Sequence, residues 1–92
     1  MAFEWDERKS QANLAKHGVD FHTAPLAFDD PFALSMRDES HSDEESRFIM
    51  LAAINTGAIL FVVFTARGED IIRLISARAA TRRERAIYEE AK

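Results

Sequence analysis

The distribution of apolar residues divides the chain near residue 32: helical spacing before it, strand-like runs after it. In the first part, Asp6 offers an N-cap, and Glu7 to His17 reads as a helix that Gly18 ends in the C′ position. Lys9, Asn13, Lys16 and His17 recur at i, i+4, i+7 and i+8 and predict one polar face, with Ala12 and Ala15 flanking Leu14 on the packing side. Residues 2–5 suit a short edge strand, pinned by Phe3 and Trp5 as packing residues. Asp20 N-caps a second helix over Phe21 to Phe28. Pro25 removes a backbone donor beyond its first turn, so this helix is expected to be short, bent or partly 3₁₀, and Asp29-Asp30-Pro31 ends it.

Beyond residue 32, Ala33 to Arg37 forms a modest first strand, and Asp38 to Glu45 is an acidic connection. Arg47 to Ile54 is apolar on both faces, which predicts a central strand with Phe48, Met50, Ala52 and Ile54 as core. Asn55-Thr56-Gly57 signals a turn into Ala58 to Ala66. Arg67 to Asp70 signals another, and Ile71 to Arg78 returns. Two short turns joining three strands give an antiparallel meander. Thr81-Arg82-Arg83-Glu84 is a capping-box sequence that starts a helix from about Arg82 to the end. The order predicts one α+β domain over residues 1–92: two N-terminal helices, an antiparallel sheet of about four strands and a C-terminal helix, with the helices on one sheet face.

Composition narrows the classes. Hydrophobic residues make up 47% of the 92 positions, enough for one core and far from a disordered chain. There are no cysteines, so neither a disulfide framework nor a thiolate zinc site is available. Met-Ala-Phe-Glu-Trp-Asp is not a signal peptide, and the longest apolar run, Ala58 to Phe64, is too short to span a bilayer. A cytoplasmic protein without membrane contact is expected. Net charge is −4 but uneven: residues 1–64 hold 5 basic and 11 acidic side chains, and residues 65–92 hold 7 basic and 5 acidic. A basic patch on an acidic body follows, which disfavours strong non-specific binding to long nucleic acid.

No metal or cofactor is expected. His17, His22 and His41 are widely separated, and no Gly-rich phosphate loop or nucleophile elbow is present. His41-Ser42 beside Glu44 and Glu45 reads either as a polar site cluster or as a solvated acidic loop. Three arginines are more informative. Arg67 stands where a strand enters a turn, Arg73 interrupts the apolar run Ile71 to Ile75, and Arg78 ends the last strand. Each has two readings: an ion pair (for Arg73, with a carboxylate such as Glu45) or a phosphate clamp, which suits the guanidinium fork. Strict alternation puts Arg73 and Arg78 on opposite faces, so they converge only if the strand is bulged or Arg78 lies past its end. His17 either caps a helix C-terminus or serves as an acid–base group, and Lys16 reads by default as a solvated lysine.

Phe3-Glu4-Trp5-Asp6, Lys9, Asn13 and Lys16-His17-Gly18-Val19 resemble the opening signature of the BrnT family. The likeness continues through Phe28 with Asp30-Pro31, His41-Ser42 with Glu45 and Arg47, and Phe64-Thr65 with Arg67. It ends on Ile75-Ser76-Ala77-Arg78, Glu84-Arg85 and Tyr88-Glu89. His22-Thr23-Ala24, Phe64 and Ala79 depart from the family pattern. The resemblance implies a RelE-like fold, metal-independent RNA cleavage and neutralisation by a BrnA-like antitoxin that also binds DNA, so that DNA is met only indirectly. From their placement at and beside the last strand, Arg67, Arg73 and Arg78 are then expected to stabilise the phosphate, while Glu45, His41, His17 and Lys16 are candidates for base and acid, with Tyr88 a weaker one. Arg47, His41 and Arg82 are expected as RNA contacts. Arg78→Ala is expected to abolish cleavage while leaving the melting temperature nearly unchanged. The competing reading is a catalytically weak or inactive module that docks a protein partner through the same face. A sequence-specific DNA binder fits least, given the acidic balance and the lack of a helix-turn-helix pattern.

Overall fold

Both patterns are realised in the computed structural model, which describes residues 1–41 and 46–92, with His41 described by its backbone alone. The order is β1 (Ala2–Glu4), α1 (Glu7–His17), a 3₁₀ segment (Ala24–Asp29), β2 (Leu34–Arg37), a 3₁₀ turn (Glu39–His41), β3 (Arg47–Ala53), β4 (Ile59–Arg67), β5 (Ile71–Ala79) and α2 (Arg82–Ala91). The caps are those the sequence specifies. Asp6 accepts from the Arg8 N–H, Gly18 takes φ +75° at the end of α1, and Thr81 and Glu84 make both bonds of the capping box. Asp20 accepts from the Thr23 N–H, but the helix expected over Phe21 to Phe28 becomes a turn followed by 3₁₀ geometry, because Pro25 sits at its start.

The sheet has five strands in the order β1-β5-β4-β3-β2. β2 to β5 are antiparallel neighbours, whereas β1 pairs parallel to β5, Ala2 opposite Ile71 and Glu4 opposite Arg73. The sheet is therefore mixed and five-stranded rather than antiparallel with about four strands. The reason is connectivity: no hairpin joins β1 to β5, so the outer edge of the meander takes the N-terminal strand in the parallel sense.

Helices cover both faces, not one. On the first face, Phe21, Ala24 and Ala27 pack against Met50, Ala52, Leu60, Val62, Phe64, Leu74 and Ala77. On the second, Tyr88 of α2 packs with Leu51 and Ile59, flanked by Leu34 and Phe61. β3 and β4 are apolar on both sides, and each side needs a cover. Phe48, Met50, Ala52 and Ile54 join the first core as expected, and Phe3 and Trp5 pack against it.

α1 reverses its expected orientation. Ser10 and Asn13 are its buried residues, while Leu14, Ala12 and Ala15 are exposed. The cause is hydrogen bonding. The Asn13 amide donates to the carbonyls of Ala77 (2.6 Å) and Val19 (2.7 Å), and the Ala77 N–H donates back to Asn13 Oδ1 at 3.3 Å. β1 stops short of Ala77, so a side chain stands in for the missing strand. Ser10 Oγ likewise accepts from the N–H of buried Phe21.

Candidate functional site

One extra residue in β5 assembles the site. Val63 pairs with Ser76 and Phe64 with Leu74, so Ile75 is left without a partner in β4. This bulge resets the alternation. Arg73, opposite Thr65, and Arg78, opposite Phe61, therefore lie on the same sheet face, the one that α2 partly covers. Thr65 stands at the centre of that face with Arg47 beside it on β3 and Arg73 beside it on β5. Arg67 follows two residues along β4, and Glu4 lies across from Arg73 on β1.

The charges on this face are organised by two carboxylates. Glu4 Oε1 lies 3.2 Å from Arg67 Nη1 and 3.7 Å from Arg73 Nη1, so one acid holds two guanidinium groups together. Arg78 is gripped harder. Its two terminal nitrogens donate to Glu84 Oε1 and Oε2 at 2.8 and 2.9 Å, and its guanidinium carbon lies 4.0 Å from the centre of the Phe61 ring. The hydrogen bonds from Arg78 hold the Glu84 carboxyl below its ordinary value, and the same pair raises the pKa of Arg78. Thr65 is 4% exposed, and its hydroxyl oxygen has no hydrogen-bond partner among the described residues. A row of guanidinium forks beside a buried hydroxyl can take phosphate oxygens, provided the incoming anion displaces Glu4.

The other expected site residues are placed less favourably. Lys16 and His17 end α1, where their positive charge suits the helix dipole. Both are exposed, and no contact among the described residues joins either to the arginines. Arg47 is half-buried on the arginine face, whereas Arg82 is exposed at the start of α2. Ser42, Glu44, Glu45 and the side chain of His41 lie outside the described residues, as does the pairing expected between Arg73 and Glu45. Tyr88 is only 1% exposed and donates to Asp30 Oδ2 at 2.5 Å. That hydrogen bond, with burial, pushes its pKa up to about 12, and it ties α2 to the loop that follows the 3₁₀ segment. Arg78 has a structural contact of its own. Its bidentate pair ties β5 to α2, so Arg78→Ala is expected to lower the melting temperature rather than leave it nearly unchanged.

Sequence reasoning missed Glu4 and Thr65. Alternation within residues 2–5 could have given the orientation of Glu4, but only the parallel pairing to β5 brings it to two arginines. Among the described residues, no three His, Cys, Asp or Glu side chains gather as a metal site, and no helix is long and apolar enough to cross a membrane.

The sequence profile of the family described as the ribonuclease toxin BrnT of type II toxin–antitoxin systems matches residues 5–84. No curated protein matches the chain in sequence. The fold is similar to a crystal structure of the Brucella abortus ribonuclease toxin BrnT. The TM-score is 0.69 at 28% identity, with 89% of this chain and 99% of that one covered.

Proposed function

This chain belongs to the BrnT family of ribonuclease toxins of type II toxin–antitoxin systems, and from that premise we propose that it is a metal-independent endoribonuclease of the cytoplasm, neutralised by a BrnA-like antitoxin. The same reading assigns a RelE-like fold, supported by the antiparallel strands between N-terminal and C-terminal helices.

One observation carries the proposal: the bulge at Ile75 brings Arg73 and Arg78 to the face that already holds Arg47 and Arg67. Cleavage without a metal needs a 2′-hydroxyl deprotonated and aligned with the phosphorus, charge stabilisation on the phosphate, and a proton for the leaving oxygen. Arg67, Arg73 and Arg78 supply the charge, with Arg47 and Arg82 as RNA contacts. The phosphate replaces Glu4 as partner of Arg67 and Arg73. Because arginine stays protonated, acid and base come from other groups. Glu45, His41, His17 and Lys16 remain the assigned candidates. Glu4 joins them as a carboxylate within the arginine row, where a displaced carboxyl group is free to take the 2′-hydroxyl proton.

The test uses purified chain and a defined RNA in the presence of EDTA. Parent protein is expected to cleave, and Arg73→Ala to lose roughly 100-fold or more in rate while keeping its melting temperature within a few degrees. Equal rates for the two proteins would remove Arg73 from the site. A second reading is favoured by the tight grip of Glu84 on Arg78: the face is a protein-docking module of low or no activity. Folded parent protein that binds the antitoxin yet leaves RNA intact would establish it.

A further inference from the structure

The face bearing the arginines is only half covered. Adjacent strands lie about 4.8 Å apart and a helix is about 10 Å across, so a five-stranded face has room for two helices. The first face receives Phe21, Ala24 and Ala27 of the turn and 3₁₀ segment, while α1 seals the edge of β5, and the second face receives α2 alone. Beside α2, over β2 to β4, runs a groove of about 200 Å³ lined by Leu34, Met36, Ile49 and Phe61 from the sheet and by Ile87 and Glu84 from α2, Glu84 being already paired with Arg78. Met36 is 62% exposed and Ile87 47%, so the rim of the groove is apolar as well.

Along β3 this surface continues from Leu51 through Ile49 to Arg47, and along β4 from Phe61 through Val63 to Thr65 and Arg67. One face is thus apolar at one end and cationic at the other. RNA phosphates need the cationic end. An apolar groove leading into a row of arginines fits a protein segment that pairs hydrophobic anchors with carboxylates.

We propose that this groove is the docking site of the cognate antitoxin, which lays an amphipathic helix beside α2 with acidic residues directed at Arg47, Arg67 and Arg73. The inference rests on the toxin reading, since membership of a type II toxin–antitoxin family is what supplies a protein partner. Neutralisation then has a direct cause: the helix fills the uncovered half of the face, and its carboxylates occupy the cations that RNA phosphate needs.

Met36→Glu and Ile87→Glu test the groove, because each places a charge at an exposed apolar position of its lining. Leu14→Glu, at an exposed apolar position on α1, is the control. The probe is the purified product of the gene adjacent to this one. Affinity is measured at low and high salt, alongside RNA cleavage in EDTA and the oligomeric state of each variant alone.

Both groove variants are expected to weaken antitoxin binding roughly tenfold or more, with cleavage within about twofold of parent and Leu14→Glu unchanged. Parent affinity should fall as salt rises. Undiminished binding by both groove variants, or no binding by the parent, overturns the proposal. Loss of cleavage with binding intact would give the groove to RNA. Loss of a parent dimer with antitoxin binding intact would give it to a second copy. A parent that binds antitoxin but cleaves nothing sinks the ribonuclease reading and leaves the groove to be judged on affinity alone.

Discussion

Asp30, the acid that begins the Asp-Pro pair after the 3₁₀ segment, accepts from Tyr88 Oη, the Ala53 N–H and the Phe32 N–H, and so fastens α2, β3 and the loop together. Burial pushes its carboxyl up, but these hydrogen bonds outweigh burial and the net shift is downward. Tyr88→Phe removes one donor to a half-buried carboxylate and should cost about 1 kcal/mol in denaturant unfolding. Tyr88 is the single tyrosine of the chain, so its ionisation can be followed alone by ultraviolet absorbance. Its pKa rises from 10.0 to about 12, so the stability it contributes is fully present below pH 10 and is lost as pH climbs towards 12. Titration at its ordinary value in folded protein would show that the bond to Asp30 does not form. The acid side has the opposite sign. Glu84 is held below its ordinary 4.5, so its contribution is present above that pH and disappears on acidification through the lowered value. With side chains 32% and 20% exposed, the Arg78–Glu84 pair is worth about 1 kcal/mol, or roughly 4–8 °C in melting temperature. Glu84→Gln should lower the melting temperature by about that much at neutral pH and flatten its fall on acidification.

At the level of elements, legibility followed the local code. The caps Asp6, Gly18 and Thr81, the turn before β4 and the core stripe of β3 are written in a few adjacent residues, and each took its expected form. Three features depended on distant partners. Asn13 reads as part of a polar helix face, yet it is buried because β5 has unpaired backbone at Ala77, 64 residues away. Ile75 looks like an ordinary strand residue, and only the register against β4 shows it to be extra. Glu4 gains two arginines solely through the parallel edge pairing. The arginines themselves were legible because a cation in an apolar strand is costly without a purpose; the convergence of Arg73 and Arg78 was not, because it turns on one unpaired residue. Asn13→Ala should therefore destabilise by roughly 2 kcal/mol or more, since it strands buried groups of Ala77, whereas Lys9→Ala on the same helix should stay within about 0.5 kcal/mol. Equal urea midpoints for the two variants would show that α1 does not seal the edge of β5 through this amide.

Charge is a property of the whole molecule here. A net −4 chain that presents Arg47, Arg67 and Arg73 on one face should bind single-stranded RNA weakly and locally. With about three phosphates neutralised, the logarithm of affinity should fall against the logarithm of salt with a slope near −2. A slope several times steeper would require cations beyond this face. The topology also sets an order of events. β1 is made first but pairs with β5, so residues 2–4 wait for residues 71–73 before the sheet can close. Contacts of such long sequence separation form late, and an emerging chain offers its N-terminal residues first. Glu4 reaches Arg67 and Arg73 only in that final step. A partly made chain therefore lacks its finished arginine face, with Glu4 seated between Arg67 and Arg73, until β5 has been added.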